Sequence, residues 1–145
     1  MTVLENKIQN CTIESDVKIV NPCNLYGCKI GKNTFIGPFV EIQKDVSIGE
    51  NVRISSHSFI CSNVTIEDDV FVAHGVMFTN DKFDSDNIKN WISRKKHVGK
   101  GTRIGSNATI LPVKIGKNCI IGAGSVVTKD ISDNSVVYGN PAKIK

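Results

Sequence analysis

Between residues 30 and 78 an apolar side chain returns at every sixth position: Ile30, Ile36, Ile42, Ile48, Ile54, Ile60, Ile66, Val72 and Phe78. Small or branched side chains stand two residues before seven of these rungs, at Val40, Val46, Val52, Ser58, Val64, Val70 and Val76, and glycine follows the rung at Gly31, Gly37 and Gly49. A helix cannot use this period, because six residues advance it by about one and two-thirds turns and the rungs would wander around its surface. One long strand fails as well, since nothing would cover its inward face. The pattern predicts a chain that bends after each short strand, three strands to a coil, so that each rung lies above the rung eighteen residues earlier. Ile30, Ile48 and Ile66 are expected on one wall, Ile36, Ile54 and Val72 on a second, and Ile42, Ile60 and Phe78 on the third. The expected architecture is all-β, a triangular parallel β-solenoid with an aliphatic core, about 30 Å tall at roughly 4.8 Å per coil.

The period begins at Ile13, Ile19 and Leu25, loses one residue between Leu25 and Ile30, and stops after Phe78. It resumes at Val98, Ile104 and Ile110, slips by one at Pro112-Val113, and continues through Ile115, Ile121 and Val127. The solenoid is therefore expected over about residues 13–79 and 98–128, within a single domain. Residues 80–97 read as a loop extruded from one corner, with Phe83, Ile88 and Trp91 as anchors, and insertions in solenoids are commonly functional. Residues 129–145, with Gly139-Asn140-Pro141, read as a tail folded back on the last coils rather than another coil. Open ends and flat walls favour self-association, and three-fold symmetry is the natural closed arrangement for a triangular prism.

Composition narrows the function classes. The chain has 145 residues, is 22% charged, and carries a net charge of +4, which suits a small anionic ligand. The longest basic run is Arg94-Lys95-Lys96, too short for a nucleic-acid surface. The five cysteines are odd in number and contain no C-x-x-C pair, so reduced packing cysteines are expected rather than a disulfide framework or zinc knuckle. No stretch reaches the roughly 20 apolar residues of a membrane span, and no basic segment followed by an apolar run opens the chain. A cytoplasmic location is expected.

The hexapeptide run, the extruded loop, and Ile121-Gly122-Ala123-Gly124-Ser125-Val126-Val127-Thr128-Lys129-Asp130 followed by Gly139-Asn140-Pro141-Ala142-Lys143 resemble the hexapeptide-repeat acyltransferases. That resemblance implies a left-handed parallel β-helix, usually trimeric, and use of acetyl-CoA. The segments Ile36–Gln43, Ser56–Cys61 and His74–Asp81 resemble more narrowly the sugar-nucleotide N-acetyltransferases, which acetylate the 3-amino group of dTDP-3-amino-3,6-dideoxyhexoses or of UDP-linked relatives for surface glycans and O-antigen. The chain departs from that pattern in lacking a glycine before Val113 and in a divergent loop after Asp81.

The implied reaction is attack of a sugar amine on the thioester of acetyl-CoA, with no metal required. The amine must lose a proton, the reactants must be held together, and the oxyanion needs donors. His74 and His57 are the candidate bases, seventeen residues apart and so almost one coil; either could instead only hydrogen-bond a ligand or a neighbouring subunit. Asn80 and Asp81 open the loop, where turn chemistry alone favours them but where the resemblance implies that they orient the amino sugar. Glu41 and Gln43 are a polar pair, either solvated or in contact with sugar. Gly105, Ala123 and Gly124 are small enough for the pantetheine arm to approach, although corner packing asks for the same residues. Lys129 and Lys143 could meet the CoA phosphates and Pro141 the adenine; Arg94 could meet the nucleotide pyrophosphate and Trp91 a base. The rivals are an O-acetyltransferase acting on a hydroxyl, a γ-class carbonic anhydrase, whose three zinc histidines would have to be His57, His74 and His97, and a scaffold without catalysis.

Overall fold

The computed structural model describes residues 1–2, 7–82 and 92–145. Among the described residues the strands are two or three residues long and form three sheets of seven, six and eight strands. The chain visits them in rotation. The first sheet carries the rungs Ile8, Leu25, Ile42, Ile60, Phe78, Ile110 and Val127. The second carries Ile13, Ile30, Ile48, Ile66, Val98 and Ile115, and the third Ile19, Ile36, Ile54, Val72, Ile104, Ile121 and Val137. All pairings between coils are parallel, in the register that the six-residue period predicts, and this is the expected β-helix. Ile36, Ile42, Ile54, Ile60 and Ile104 are wholly buried, with Ile42 stacked on Ile60 in the first wall and Ile36 on Ile54 in the third. Each coil is too short to bury its rungs alone, so stability comes from the coils above and below.

The three corners differ in chemistry. Between the second and third sheets, Asn33, Asn51, Asp69, Asn118 and Asn134 all take the left-handed backbone conformation, which short polar side chains tolerate. Their side chains bond along the stack, Asn33 Nδ2 to Asn51 Oδ1 and Asn51 Nδ2 to Asp69 Oδ1, both at 3.3 Å. Glycine is required where coils touch backbone to backbone: a Cβ on Gly31 would stand 2.6 Å from the Gly49 carbonyl carbon. Inside the corners, buried hydroxyls bridge neighbouring coils. Thr34 Oγ1 donates to the Gly49 carbonyl and accepts from Val52 N–H, and Ser58 Oγ does the same between Ala73 and Val76.

All variation in coil length falls at the corner between the first and second sheets. The steps from second to third sheet and from third to first are always six residues. The step from first to second is five from Leu25 to Ile30, six from Ile42 to Ile48, twenty from Phe78 to Val98 and five from Ile110 to Ile115. The extruded loop is thus the extreme case of a freedom that only this edge possesses.

Three boundaries differ from the sequence expectation. A coil begins earlier, because Ile8–Gln9 pairs with Leu25–Tyr26. The solenoid resumes at Lys96, whose strand Lys96–Val98 pairs with Val64–Ile66. The C-terminal stretch is no simple tail: Ile131 bridges Ile115 and Val136–Val137 pairs parallel with Ile120–Ile121, which adds two further walls. Only then does the chain fold back, with Lys143–Ile144 antiparallel to Val137–Tyr138. The loop anchors Phe83, Ile88 and Trp91 lie outside the described residues.

Candidate functional site

The corner between the third and first sheets holds both candidate bases. Successive coils place Pro38, Ser56, His74, Ser106 and Ala123 at one corner position, and Phe39, His57, Gly75, Asn107 and Gly124 at the next, as the corner bonds His57 N–H to Pro38, Gly75 N–H to Ser56, Asn107 N–H to His74 and Gly124 N–H to Ser106 require. The two histidines therefore share an edge but are offset by one position. His74 is exposed, and its Nδ1 lies 2.9 Å from Ser56 Oγ. The His57 ring lies 4.9 Å from that of Phe39, one coil earlier. Both Phe39 and His57 hold a left-handed backbone, with φ of 60° and 62°, where Gly75, Asn107 and Gly124 are the undemanding occupants. Ser56 and Phe39 were not singled out from the sequence. Ser56 could have been, for it stands one coil, eighteen residues, before His74.

The same edge carries the candidate cofactor residues. Ala123 and Gly124 are exposed on the last full coil, and a Cβ on Gly124 would meet nothing within 4 Å. Gly105 is different: a Cβ there would lie 2.5 Å from Ala123 N, so coil contact accounts for its missing side chain. Residues 139–142 cross this end of the prism, with Gly139 accepting from Val126 N–H and Ala142 N–H donating back to Val126. Pro141 and Lys143 are exposed there, whereas Lys129 is exposed at the loop corner.

The structure separates Asn80 and Asp81 from the histidines. They stand where the loop leaves the first sheet, six residues past His74 along a nearly extended wall, up to about 20 Å away. Asn80 Oδ1 accepts from Lys96 Nζ at 2.7 Å and from Ser93 Oγ at 3.3 Å. Ser93 Oγ is also 3.2 Å from Ser62 Oγ, and Asn63 Nδ2 donates to the Ser93 carbonyl, so both ends of the loop are tied to one coil. Lys96 is 3% exposed, and burial lowers its pKa. The Cys61 thiol beside it is pushed up by burial, against the pull of the ammonium. The sequence pointed to Lys96 only as part of a basic run. Arg94 is exposed two residues before the returning strand Lys96–Val98, and Asp81 is half-buried at the start of the loop.

Glu41 and Gln43 link the two corners. Glu41 accepts from Asn24 Nδ2 at 3.3 Å and from Gln43 Nε2 at 3.0 Å on the outer face of the first sheet, while Gln43 Oε1 accepts from Ser62 N–H. This strip is a fixed array of acceptors and donors rather than a loosely solvated one. His97 lies elsewhere, on the second sheet, with Nε2 3.1 Å from Glu67 Oε1. Within one chain, His97 thus stands on a different wall from the corner that holds His57 and His74. A shallow groove of about 600 Å³ beside His97, lined also by Lys114, Lys117 and Asp133, holds none of the residues expected to bind substrate or cofactor.

Residues 27–62 match the family described as bacterial transferase hexapeptide (six repeats), and residues 97–129 match the hexapeptide repeat of succinyl-transferase. Both matched stretches are hexapeptide repeats, the same coils that build the three walls of this chain. Among its relatives, the galactoside O-acetyltransferase of Lactococcus lactis is 46% identical over 54 residues, 37% of this chain and 26% of that protein. The dTDP-3-amino-3,6-dideoxy-alpha-D-galactopyranose 3-N-acetyltransferase of Aneurinibacillus thermoaerophilus is 53% identical over 49 residues, 33% of this chain and 26% of that protein. These matched stretches span about a quarter of each relative. The hexapeptide-repeat fold is also that of AntD, an N-acyltransferase from Bacillus cereus in complex with dTDP and coenzyme A, with a TM-score of 0.72, 21% identity, and coverage of 94% of this chain and 80% of that one.

Proposed function

We propose that this hexapeptide-repeat chain is an acetyl-CoA-dependent N-acetyltransferase that acylates the amino group of a nucleotide-linked sugar, in the first instance a dTDP-3-amino-3,6-dideoxyhexose. The observation that carries the reading is the split of the candidate residues between two corners: a Ser56-held histidine with small, open residues above it on one edge, and Asn80 with Asp81 at the neck of an extruded loop on the next. The first edge has what a thioester needs, a slot for the pantetheine at Ala123 and Gly124, rows of corner N–H groups for the oxyanion, and an imidazole for the proton. The second edge has what a polar acceptor needs, amide and carboxylate groups around a loop.

One small reaction centre cannot span the wall between these edges, so the two halves would be supplied by adjacent copies. A homotrimer brings the histidine edge of one prism against the loop edge of the next, and the acceptor and thioester meet in that crevice. Each residue then has a part. Nε2 of His74 takes the amine proton as the bond from nitrogen to the acetyl carbon forms, and returns it to the sulfur as the carbon–sulfur bond breaks, so that coenzyme A leaves as the thiol. Asn80 and Asp81 orient the amino sugar, Glu41, Gln43 and His57 contact its remaining groups, and Arg94 meets the pyrophosphate. Gly105, Ala123, Gly124, Lys129, Pro141 and Lys143 line the path of coenzyme A. The relative that acts on a dTDP-amino sugar and the neighbour that holds dTDP with coenzyme A support this choice of acceptor.

The galactoside O-acetyltransferase relative supports a second reading, transfer to a hydroxyl. Purified protein supplied with acetyl-CoA and either a dTDP-3-amino sugar or a galactoside, with thiol release followed, separates the two. Release only with the amino sugar is expected. Release only with the galactoside replaces the first reading by the second, and release with neither removes both.

A further inference from the structure

We infer that Lys96 is a positioning residue that fixes the orientation of the Asn80 side chain, so that the amide presents its Nδ2–H donors to the acceptor. This inference rests on the acetyltransferase reading above and names the residue that sets the loop edge for it. Strand Lys96–Val98 pairs with Val64–Ile66, and the alternation along it sends Lys96 and Val98 to the interior and His97 outward. Lys96 thus occupies, opposite Val64, a site that the repeat fills with an aliphatic side chain. Its ammonium group has three donors and no lone pair, so only the oxygen end of an amide can face it. Asn80 Oδ1 does so at 2.7 Å, with Ser93 Oγ as a second donor to the same oxygen. Both acceptor sites of the oxygen are then engaged by the loop neck. The nitrogen end of the amide, a two-hydrogen donor, is turned to the other side. A donor there suits a hydroxyl or carbonyl oxygen of the acceptor, and it excludes an Asn80 that acts as acceptor or base.

A plain staple for the loop would not call for a charge. Burying an ammonium costs free energy that Leu or Met would not incur at the same position, and its retention is explained when the cation forces one orientation on a neighbour. Ser93, which bonds to Asn80 at one end of the loop and to Ser62 and Asn63 on the coil, already joins these segments without it.

The experiment compares K96M and N80D with the wild type, using acetyl-CoA and the acceptor that the wild-type protein turns over. K96M keeps the length of the side chain and removes the cation, so the Asn80 amide is free to flip. It is expected to lower kcat at least tenfold and to raise the acceptor KM, with the acetyl-CoA KM unchanged. N80D strengthens the contact to Lys96 but leaves no N–H to present, so it is expected to hold or raise Tm while losing at least as much activity as K96M. The K96M/N80D double variant should be no worse than N80D alone, since both changes remove one function. Wild-type kcat and acceptor KM in K96M, or an active N80D, overturns the inference. If K96M does not fold, N80D decides alone. A wild-type protein inert towards every acceptor removes the acetyltransferase reading and this inference with it, whereas an active wild type with an equally active K96M removes only the inference.

Discussion

Ser56 Oγ lies 2.9 Å from Nδ1 of His74, one coil below it on the same corner. When Nδ1–H donates to the serine oxygen, the lone pair of Nε2 faces outward and can take a proton; the opposite tautomer turns Nε2 into a donor. Ser56 therefore governs whether His74 can act as a base. H74A is expected to reduce kcat about 10²- to 10⁴-fold with a hydroxyl acceptor and less with an amine, which is the better nucleophile. S56A, which removes one hydrogen bond worth about 1 kcal/mol, is expected to cost roughly five- to tenfold. Steady-state thiol release with each acceptor measures both, and a wild-type rate in H74A with either acceptor denies His74 the proton transfer.

The walls were readable because the repeat is one-dimensional: once Ile30 is placed, Ile48 and Ile66 follow by counting, and the structure pairs them so. Counting fails wherever a corner changes length. Lys96 follows a stretch of unknown span, so nothing in the sequence phased it against Val64, and a buried lysine looked like part of a solvated run. Ile131 arrives only four residues after Val127, and that short step hid the extra walls before the final fold-back. His74 and Asn80 were natural partners as sequence neighbours six apart, yet six residues make one whole wall, which sends them to different corners. The candidate residues could be named from the sequence, but the way the corners divide them could not.

Loss of a rung is expected to cost more than loss of a corner glycine in open space. Ile54 is wholly buried between Ile36 and Val72, and I54A should destabilise by about 2–5 kcal/mol through lost burial and the cavity left behind. G31A should also be severely destabilised, because the new methyl group meets the carbonyl of Gly49 at 2.6 Å. G124A meets nothing within 4 Å and bears only the left-handed backbone penalty, about 1–2 kcal/mol. Urea unfolding followed by circular dichroism ranks the three, and a G31A as stable as G124A contradicts the backbone contact.

Thiol chemistry is expected to report the tightness of the core. Cys23, Cys28, Cys61 and Cys119 are buried, whereas Cys11 is partly exposed. Burial, with the neighbouring Cys11 thiol adding to it, pushes the Cys28 thiol up to about 12. Only thiolate reacts rapidly with disulfide reagents, so four of the five cysteines should stay silent at pH 8 until the protein unfolds. Titration with a chromogenic disulfide should give no more than one equivalent in the native state and five in denaturant. Rapid native labelling of Cys61 or Cys119 shows that the coils open.

Lys96 should make stability depend on pH in a direction opposite to that of a surface lysine gaining a partner. Burial lowers its folded pKa from the ordinary 10.5, and the Cys61 thiol offsets part of that. A cation with a depressed folded pKa is held more readily by the unfolded chain, which binds the extra proton between the two values. The penalty is complete below the folded pKa, fades as the pH rises through it, and is gone above about 10.5. K96M carries no such penalty, so its Tm is expected to equal or exceed that of the wild type at pH 7. The gap should then close as the pH is raised towards 10.5. Comparing the two proteins cancels the other lysines and tyrosines, which titrate alike in both. A gap that widens with rising pH shows instead that the protonated lysine stabilises the fold, through a bond to Asn80 strong enough to outweigh its burial.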